Sequence, residues 1–292
     1  MPRMPTAPSN GISLFYESFG NSADPALLLV MGLGAQMTLW DDEFCEALAA
    51  KGFHVIRFDN RDVGLSSKIE SAPAPELGKA FAGDFSSAGY TLWDMAEDAV
   101  GLLDALGIAK AHIVGASMGG MIVQAMAIKH ADRVLSMTSI MSTTGNPAVG
   151  QATPAAMGAL MAPPPNSREE AIEAGVQSWK TIGGTFPMDE AKVRARQAAA
   201  YDRCFYPTGI ARQLLAILAT GDRTEALKQV KLPTLVIHGE VDPLVQPSGG
   251  KATAEAIPGA ELLVIPRMGH DIPPEVQPQI VDAIVANTRK AS

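Results

Sequence analysis

Short, strongly apolar runs alternate with longer amphipathic stretches through the first half of this chain, and no other feature restricts its fold as much. Ala26-Leu-Leu-Leu-Val-Met31 is apolar throughout, as expected of a strand covered on both faces. Phe53 to Phe58, Ala111 to Gly115 and Val134 to Met141 repeat the pattern. Ahead of the third run, Thr91 reads as an N-cap with Asp94 in the first turn. Leu92, Met95, Ala99, Leu102, Leu103 and Leu106 then recur at helical spacing until Gly107. Strands alternating with helices assemble into a parallel sheet with right-handed crossovers. The segment Gly11 to Phe19, opened by Asn10-Gly11, reads instead as an antiparallel hairpin at the sheet edge.

The alternation stops near Thr143. From there to about Gly221 alanine, proline and methionine prevail without a clear strand, and Arg168 to Trp179 and Ala191 to Tyr201 carry helical spacing. It resumes with a strand from Pro233 to His238, a helix near Ala252 to Ile257, a strand from Glu261 to Ile265 and a last helix from Glu275 to Asn287. The expected architecture is α/β, a mostly parallel central sheet flanked by helices. Residues 1–144 and 222–292 form the core, and residues 145–221 form a helical cap inserted after the sixth strand.

Charge and cysteine content narrow the function. With 23 Lys+Arg against 31 Asp+Glu, the net charge of −8 leaves no broad basic surface for nucleic acid or anionic membranes. No apolar run approaches the roughly 20 residues of a membrane span, and MPRMPTAPSNG lacks the apolar stretch of a signal peptide. Cys45 and Cys204 are too few for a disulfide framework or a four-cysteine zinc site. A cytoplasmic protein without metal is the expectation; no oligomeric state follows from the pattern.

The sharpest chemical signal is Gly115-Ala-Ser-Met-Gly119, a G-x-S-x-G match between an apolar run and the helical stretch Met121 to His130. Strand, tight turn and helix are the context of a nucleophile elbow, which projects the Ser117 hydroxyl at the strand's C-terminal end. The helix that follows directs free N–H groups at any oxyanion formed there. A serine needs a base. His54, His112 and His238 lie in or beside expected strands and His130 closes a helix, so each reads as structural. His270, in the loop Arg267-Met-Gly-His270 beyond a strand, is the candidate base. Asp242, beyond the strand ending at His238, is the candidate acid, with Glu240 two residues away as its competitor. Met118 N–H is one expected oxyanion donor. The second comes from Met31-Gly-Leu-Gly34, where Leu33 is the expected donor and Gly32 the residue that turns the chain.

These residues resemble those of the α/β-hydrolase superfamily, whose triad runs in the chain order Ser117, Asp242, His270. The resemblance covers nearly everything outside residues 145–221. Asp59-Asn-Arg-Asp-Val-Gly-Leu-Ser66 adds to it as a structural turn, with Asp62 where the family usually has Gly. Leu29-Val-Met-Gly32, the Asn-Arg-Asp turn and the Met-Gly-His ending are most similar to the aclacinomycin methylesterase group of bacterial carboxylesterases, although Arg267 stands where that ending has Gly. The resemblance implies an α/β-hydrolase fold and ester hydrolysis through an acyl-enzyme, without cofactor, on a small-molecule ester. C–C bond hydrolysis, lactonase, perhydrolase and acyltransferase chemistry on the same triad are the alternatives. A non-enzymatic binding protein of this fold is disfavoured by the complete triad. The cap's seven basic and six acidic residues nearly balance. Its Met157, Met161, Trp179, Met188, Phe205 and Tyr206 are expected to line an apolar pocket for uncharged esters.

Overall fold

The computed structural model describes residues 5–291; Ser292 and the first four residues of the N-terminal stretch read above lie outside it. Its centre is an eight-stranded sheet of β1 (Thr6–Ser9), β2 (Ile12–Phe19), β3 (Ala26–Val30), β4 (His54–Phe58), β5 (Ala111–Ala116), β6 (Val134–Ile140), β7 (Thr234–Gly239) and β8 (Glu261–Ile265). The spatial order is β1-β2-β4-β3-β5-β6-β7-β8. β3 through β8 are parallel, while β2 runs antiparallel to both β1 and β4. The hairpin differs from expectation in one respect: Asn10 and Gly11 are its turn rather than its start, at φ 48° and 76°. A tight Asn-Gly connection needs positive φ at both positions. The strand before it, four residues long, is too short for its periodicity to be read.

Helices cover both faces. α1 (Asp42–Ala49) and, at the far end of the chain, α11 (Gln277–Thr288) lie on one side; α3 (Leu92–Ala105), α4 (Met118–Lys129), α9 (Thr224–Leu227) and α10 (Pro247–Ala256) lie on the other. The short α2 (Leu77–Phe81) falls between β4 and α3. Leu27, Leu28, Leu29 and Val30 of β3 are fully buried between the layers. Burial of each such side chain stabilises by about 1.5–3 kcal/mol. Between β6 and β7 come α5 (Pro154–Leu160), α6 (Arg168–Ile182), α7 (Glu190–Arg203) and α8 (Pro207–Thr220). Two of these extend the helices read from spacing. α5 and α8 escape that reading because each opens on a proline, which suits the first helical turn but reads as a loop in isolation.

α4 is buried on every side from Met118 to Ala127, so its packing decides the centre of the fold. A Cβ on Gly119 would overlap the carbonyl oxygen of Val30, and one on Gly115 would overlap the backbone of Gly119. These two glycines let strand and helix approach more closely than any side chain permits. Gly119→Ala should therefore destabilise the protein by about 3 kcal/mol. Gly158→Ala, in α5 with nothing within 4 Å of the new methyl, should stabilise it by up to about 1 kcal/mol. Chemical denaturation checks both, and equal effects would contradict the packing account.

On the β5 strand, His112 is buried with Nδ1 2.8 Å from Ser136 Oγ, and burial lowers its pKa. The folded protein therefore refuses a proton that the unfolded chain accepts below about pH 6.5. This contribution to stability is complete above the unfolded value and is lost as pH falls through the lowered folded value. His112→Gln should lose Tm less steeply than the wild type between about pH 7.5 and 5.5. Parallel curves would contradict the assignment.

Candidate active site

The parallel strands end on one rim of the sheet, and the residues singled out from the sequence follow them: Leu33 after β3, Ser117 after β5, Asp242 after β7 and His270 after β8. Open α/β sheets bind ligands outside this edge. Ser117 occupies the turn between β5 and α4 at φ 55°, ψ −120°, a backbone region that costs a non-glycine residue about 1–3 kcal/mol. The turn is held by Ser117 N–H donating to Ile140 O at 2.9 Å and by Ser142 Oγ donating to Ser117 O at 2.8 Å.

Ser117 Oγ lies 2.9 Å from His270 Nε2, and His270 Nδ1 lies 2.8 Å from Asp242 Oδ2. A carboxylate only accepts, so Nδ1 carries the proton and Nε2 is left to accept from the serine hydroxyl. Asp242 is 2% exposed, and its other oxygen, Oδ1, accepts from Leu244 N–H and Val245 N–H, both at 2.9 Å. Glu240 is exposed at the surface, and among the described residues its carboxylate has no bond to His270. Of the two acids, only Asp242 meets the imidazole.

The remaining histidines stand apart from the serine. His130 Nε2 lies 2.9 Å from Glu97 Oε1 at the surface, and His54 is half-buried on β4. His238, fully buried, donates from Nε2 to Val245 O at 2.7 Å, and that nitrogen lies 3.5 Å from Asp242 Oδ2. Burial lowers its pKa, which keeps the ring neutral beside the acid.

The two residues expected to supply oxyanion donors, Met118 and Leu33, belong to segments that adjoin the serine. Met118 is the first residue of α4, and Leu33 follows Gly32, whose Cβ, if present, would lie 3.1 Å from Ser117 Cβ. Neither N–H has a hydrogen-bond partner among the described residues. The role expected of Gly32 needs correction: Gly34, at φ 66°, turns the chain, and Gly32 provides the close approach to Ser117. Gly34 N–H donates to Gln213 Oε1 at 2.8 Å, and Gln213 Nε2 donates to Arg61 O at 2.7 Å. Gln213, buried on α8, thus ties the Leu33 loop to the Asp59–Ser66 turn. No local signal marks it, because its partners lie more than 150 residues away.

The β6–β7 segment also braces the His270 loop. His270 N–H donates to Ile182 O, Thr185 N–H donates to Arg267 O, both at 2.8 Å, and Asp271 Oδ1 accepts from Gly184 N–H and Gly269 N–H. Burial pushes the Asp271 pKa up. Arg267 holds φ 67° and Asp62 φ 65°. These are the two positions where this chain departs from glycine in the motifs quoted above, and the left-handed backbone explains why glycine suits them. Asp62 offsets the strain by accepting from Ile69 N–H at 2.7 Å and Tyr90 OH at 2.8 Å. Arg267 lies over the Phe186 ring at 4.4 Å.

A cavity of about 1090 Å³ opens over Ser117 and His270. Met157, Trp179 and Met188 line it, together with Leu160, Phe186, Ile210 and Leu214. Met161, Phe205 and Tyr206 do not. Met161 and Phe205 are exposed, the latter stacked on Tyr201, and Tyr206 OH accepts from Arg212 at 3.1 Å. Helical spacing gives the faces of α5 to α8 but not which face meets the core. Among the described residues no three His, Cys, Asp or Glu side chains are arranged to hold a metal ion, and no helix is long and apolar enough to cross a membrane.

Comparison with known proteins agrees with the fold. The family model for the alpha/beta hydrolase fold matches residues 25–275. The chain is 31% identical to rhodomycin D methylesterase DauP of Streptomyces sp. (strain C5), across 96% of both chains. It is 27% identical to 3-oxoadipate enol-lactonase 1 of Acinetobacter baylyi, across 82% of this chain and 80% of that protein. Among solved structures, the enol-lactonase of Burkholderia xenovorans LB400 superposes with a TM-score of 0.75 at 28% identity, across 98% of this chain and all of that one. With its parallel sheet, the turn at Ser117 and the matched family model, this chain belongs to the α/β-hydrolase family.

Proposed function

We propose that this enzyme, an esterase-type hydrolase, cleaves small to medium, uncharged and largely apolar carboxylic esters through a serine acyl-enzyme. One observation carries the reading: the unbroken hydrogen-bond series from Ser117 through His270 to Asp242, with Ser117 set in a strained turn. In this mechanism Ser117 Oγ attacks the acyl carbon as His270 Nε2 takes its proton, and Asp242 holds the tautomer and stabilises the imidazolium. Leu33 N–H and Met118 N–H stabilise the oxyanion, aided by the N-terminal dipole of α4. His270 returns the proton to the leaving alkoxide, and water then repeats the cycle on the acyl-enzyme. Lactone hydrolysis on the same triad is the second reading, favoured by the similarity to enol-lactonases. Cys45 and Cys204 are both free thiols, which suits the cytoplasmic location that belongs to this proposal.

Ser117→Ala and His270→Ala should each lower kcat by about 10⁶-fold with the fold intact, and the double variant should be little worse. Retention of more than about one hundredth of the activity by Ser117→Ala would sink the assignment, since a single oxyanion donor alone contributes about 10²–10³. Asp242→Asn should cost about 10⁴ by favouring the wrong imidazole tautomer, and Glu240→Gln little. The reverse order would move the acid to Glu240. Offering γ-lactones beside linear esters separates the two readings.

Residues 145–221 serve in this proposal as a cap over the serine, and Met157, Trp179 and Met188 form its apolar contribution to the cavity. Each well-buried methylene of the acyl chain should add up to about 0.8 kcal/mol, or roughly fourfold in kcat/KM. Acetate, butyrate, hexanoate and succinate monoesters of one alcohol provide the test. Preference for succinate over butyrate would overturn the apolar-pocket reading.

A further inference from the structure

Four of the five arginines in residues 145–221 are engaged by the protein itself. Arg168 forks onto Asp202 with both bonds at 2.7 Å, and Arg194 bridges Glu173 and Glu190. Arg203 pairs with Asp59, and Arg212 reaches Asp62 and Tyr206 OH. Arg196, on α7, differs. Among the described residues it makes no hydrogen bond or ion pair, its Nε is buried without a partner, and it lines the cavity that holds Ser117 and His270. Its guanidinium lies over the Trp179 ring, with Cζ 4.9 Å from the ring centre. Burial lowers its pKa.

A guanidinium keeps its charge and its five donors in any protein environment, and unmet donors beside apolar walls are costly. Nearby carboxylates do not engage it. Asp41 caps α1 through Phe44 N–H and accepts from Gln277, and Asp271 accepts from Gly184 and Gly269 N–H. Among the described residues Arg196 forms no ion pair, yet the charge of both of these acts to raise its pKa against the larger effect of burial. Two carboxylates, Asp41 and Asp271, thus line the cavity near this guanidinium, and a carboxylate brought to it would meet them both; the other lining cations are Lys180, paired with Glu190, and the exposed Lys192. An uncharged acceptor fills the donors without adding charge.

We propose that Arg196 is a specificity-determining residue that donates to a neutral carbonyl or hydroxyl oxygen on the substrate, away from the scissile ester. The preferred substrates are then apolar esters that carry a second, uncharged oxygen acceptor. This names a substrate class within the esterase reading and rests on it. The planar fork, held over the Trp179 ring, is pre-organised for such an oxygen, and a charged donor discriminates strongly against an analogue that leaves it unmet.

The test compares methyl octanoate with methyl 5-oxo-, 6-oxo- and 7-oxooctanoate and with the monomethyl ester of suberic acid. The quantity read is the ratio of kcat/KM for the best keto ester to that for methyl octanoate. Arg196→Met should lower this ratio by about 10- to 100-fold, most of it in KM, while Arg194→Met, at an engaged surface arginine, should leave it unchanged. Equal ratios in the wild type and Arg196→Met would overturn the proposal, as would a wild-type preference for the suberate monoester over every keto ester. Calorimetric binding to Ser117→Ala keeps the two readings apart, because it needs no turnover. If no ester is hydrolysed, the esterase reading fails, and keto-ester binding still weakens about tenfold or more on adding Arg196→Met if Arg196 acts as proposed. If binding is indifferent to Arg196, the proposal fails whatever the enzyme hydrolyses.

Discussion

The close approach of α4 to the sheet is the constraint on which the rest of this molecule depends. Helix and strand meet where Gly115 and Gly119 have no side chain to keep them apart, and Ser117, midway between them, is held at φ 55°. A serine in that conformation stands clear of its own backbone at the strand's end. The strain persists because the surroundings over-determine it: Ile140 O, Ser142 Oγ and the fully buried α4 leave the turn no alternative. The same packing puts Met118 in the first turn of α4, directly after Ser117, so one geometric demand sets both groups to which the proposed mechanism gives the nucleophile and an oxyanion donor.

At Asp62 and Arg267, two of the five described non-glycine residues with positive φ, the side chain adds contacts that glycine lacks. Asp62 joins Ile69 N–H and Tyr90 OH, and Arg267 lies on Phe186 and donates to Thr185 O at 3.0 Å. The second case links the candidate base to the inserted helices. Ile182, Gly184 and Thr185 bond directly to the loop of residues 267–271, so the geometry of His270 depends on the proposed cap as well as on β8. A substitution in the loop after α6 thus acts on the imidazole from outside the α/β core.

Charge is distributed to match. Most charged groups of the inserted helices neutralise one another or anchor the segment to the core, as Arg203 and Arg212 do through Asp59 and Asp62. The cavity wall is left largely apolar, and Arg196, with its Nε buried, has no close partner in it among the described residues. An apolar enclosure strengthens each polar interaction inside it, so a single donor there weighs heavily on which substrates are accepted.

Much of this was legible in the sequence because it depends on local order. Apolar runs alternating with amphipathic ones are enough to specify a parallel sheet with helices on both faces. The glycines around Ser117 mark a strand–turn–helix junction within a few residues. Positions just past apolar runs put Ser117, Asp242, His270 and Leu33 at strand ends without reference to any distant partner. Tertiary structure decided what local order leaves open. Asp242 and Glu240 share one loop, and only the fold of that loop onto Leu244 and Val245 turns the first toward His270 and leaves the second in solvent. Met157 and Trp179 line the cavity while Met161 and Phe205 do not. Gly32 serves contact and Gly34 serves the turn, and Gln213 joins segments far apart in the chain. Periodicity records which residues share a face; which partner that face meets is set by packing across long sequence separations, and that exists only in the folded chain.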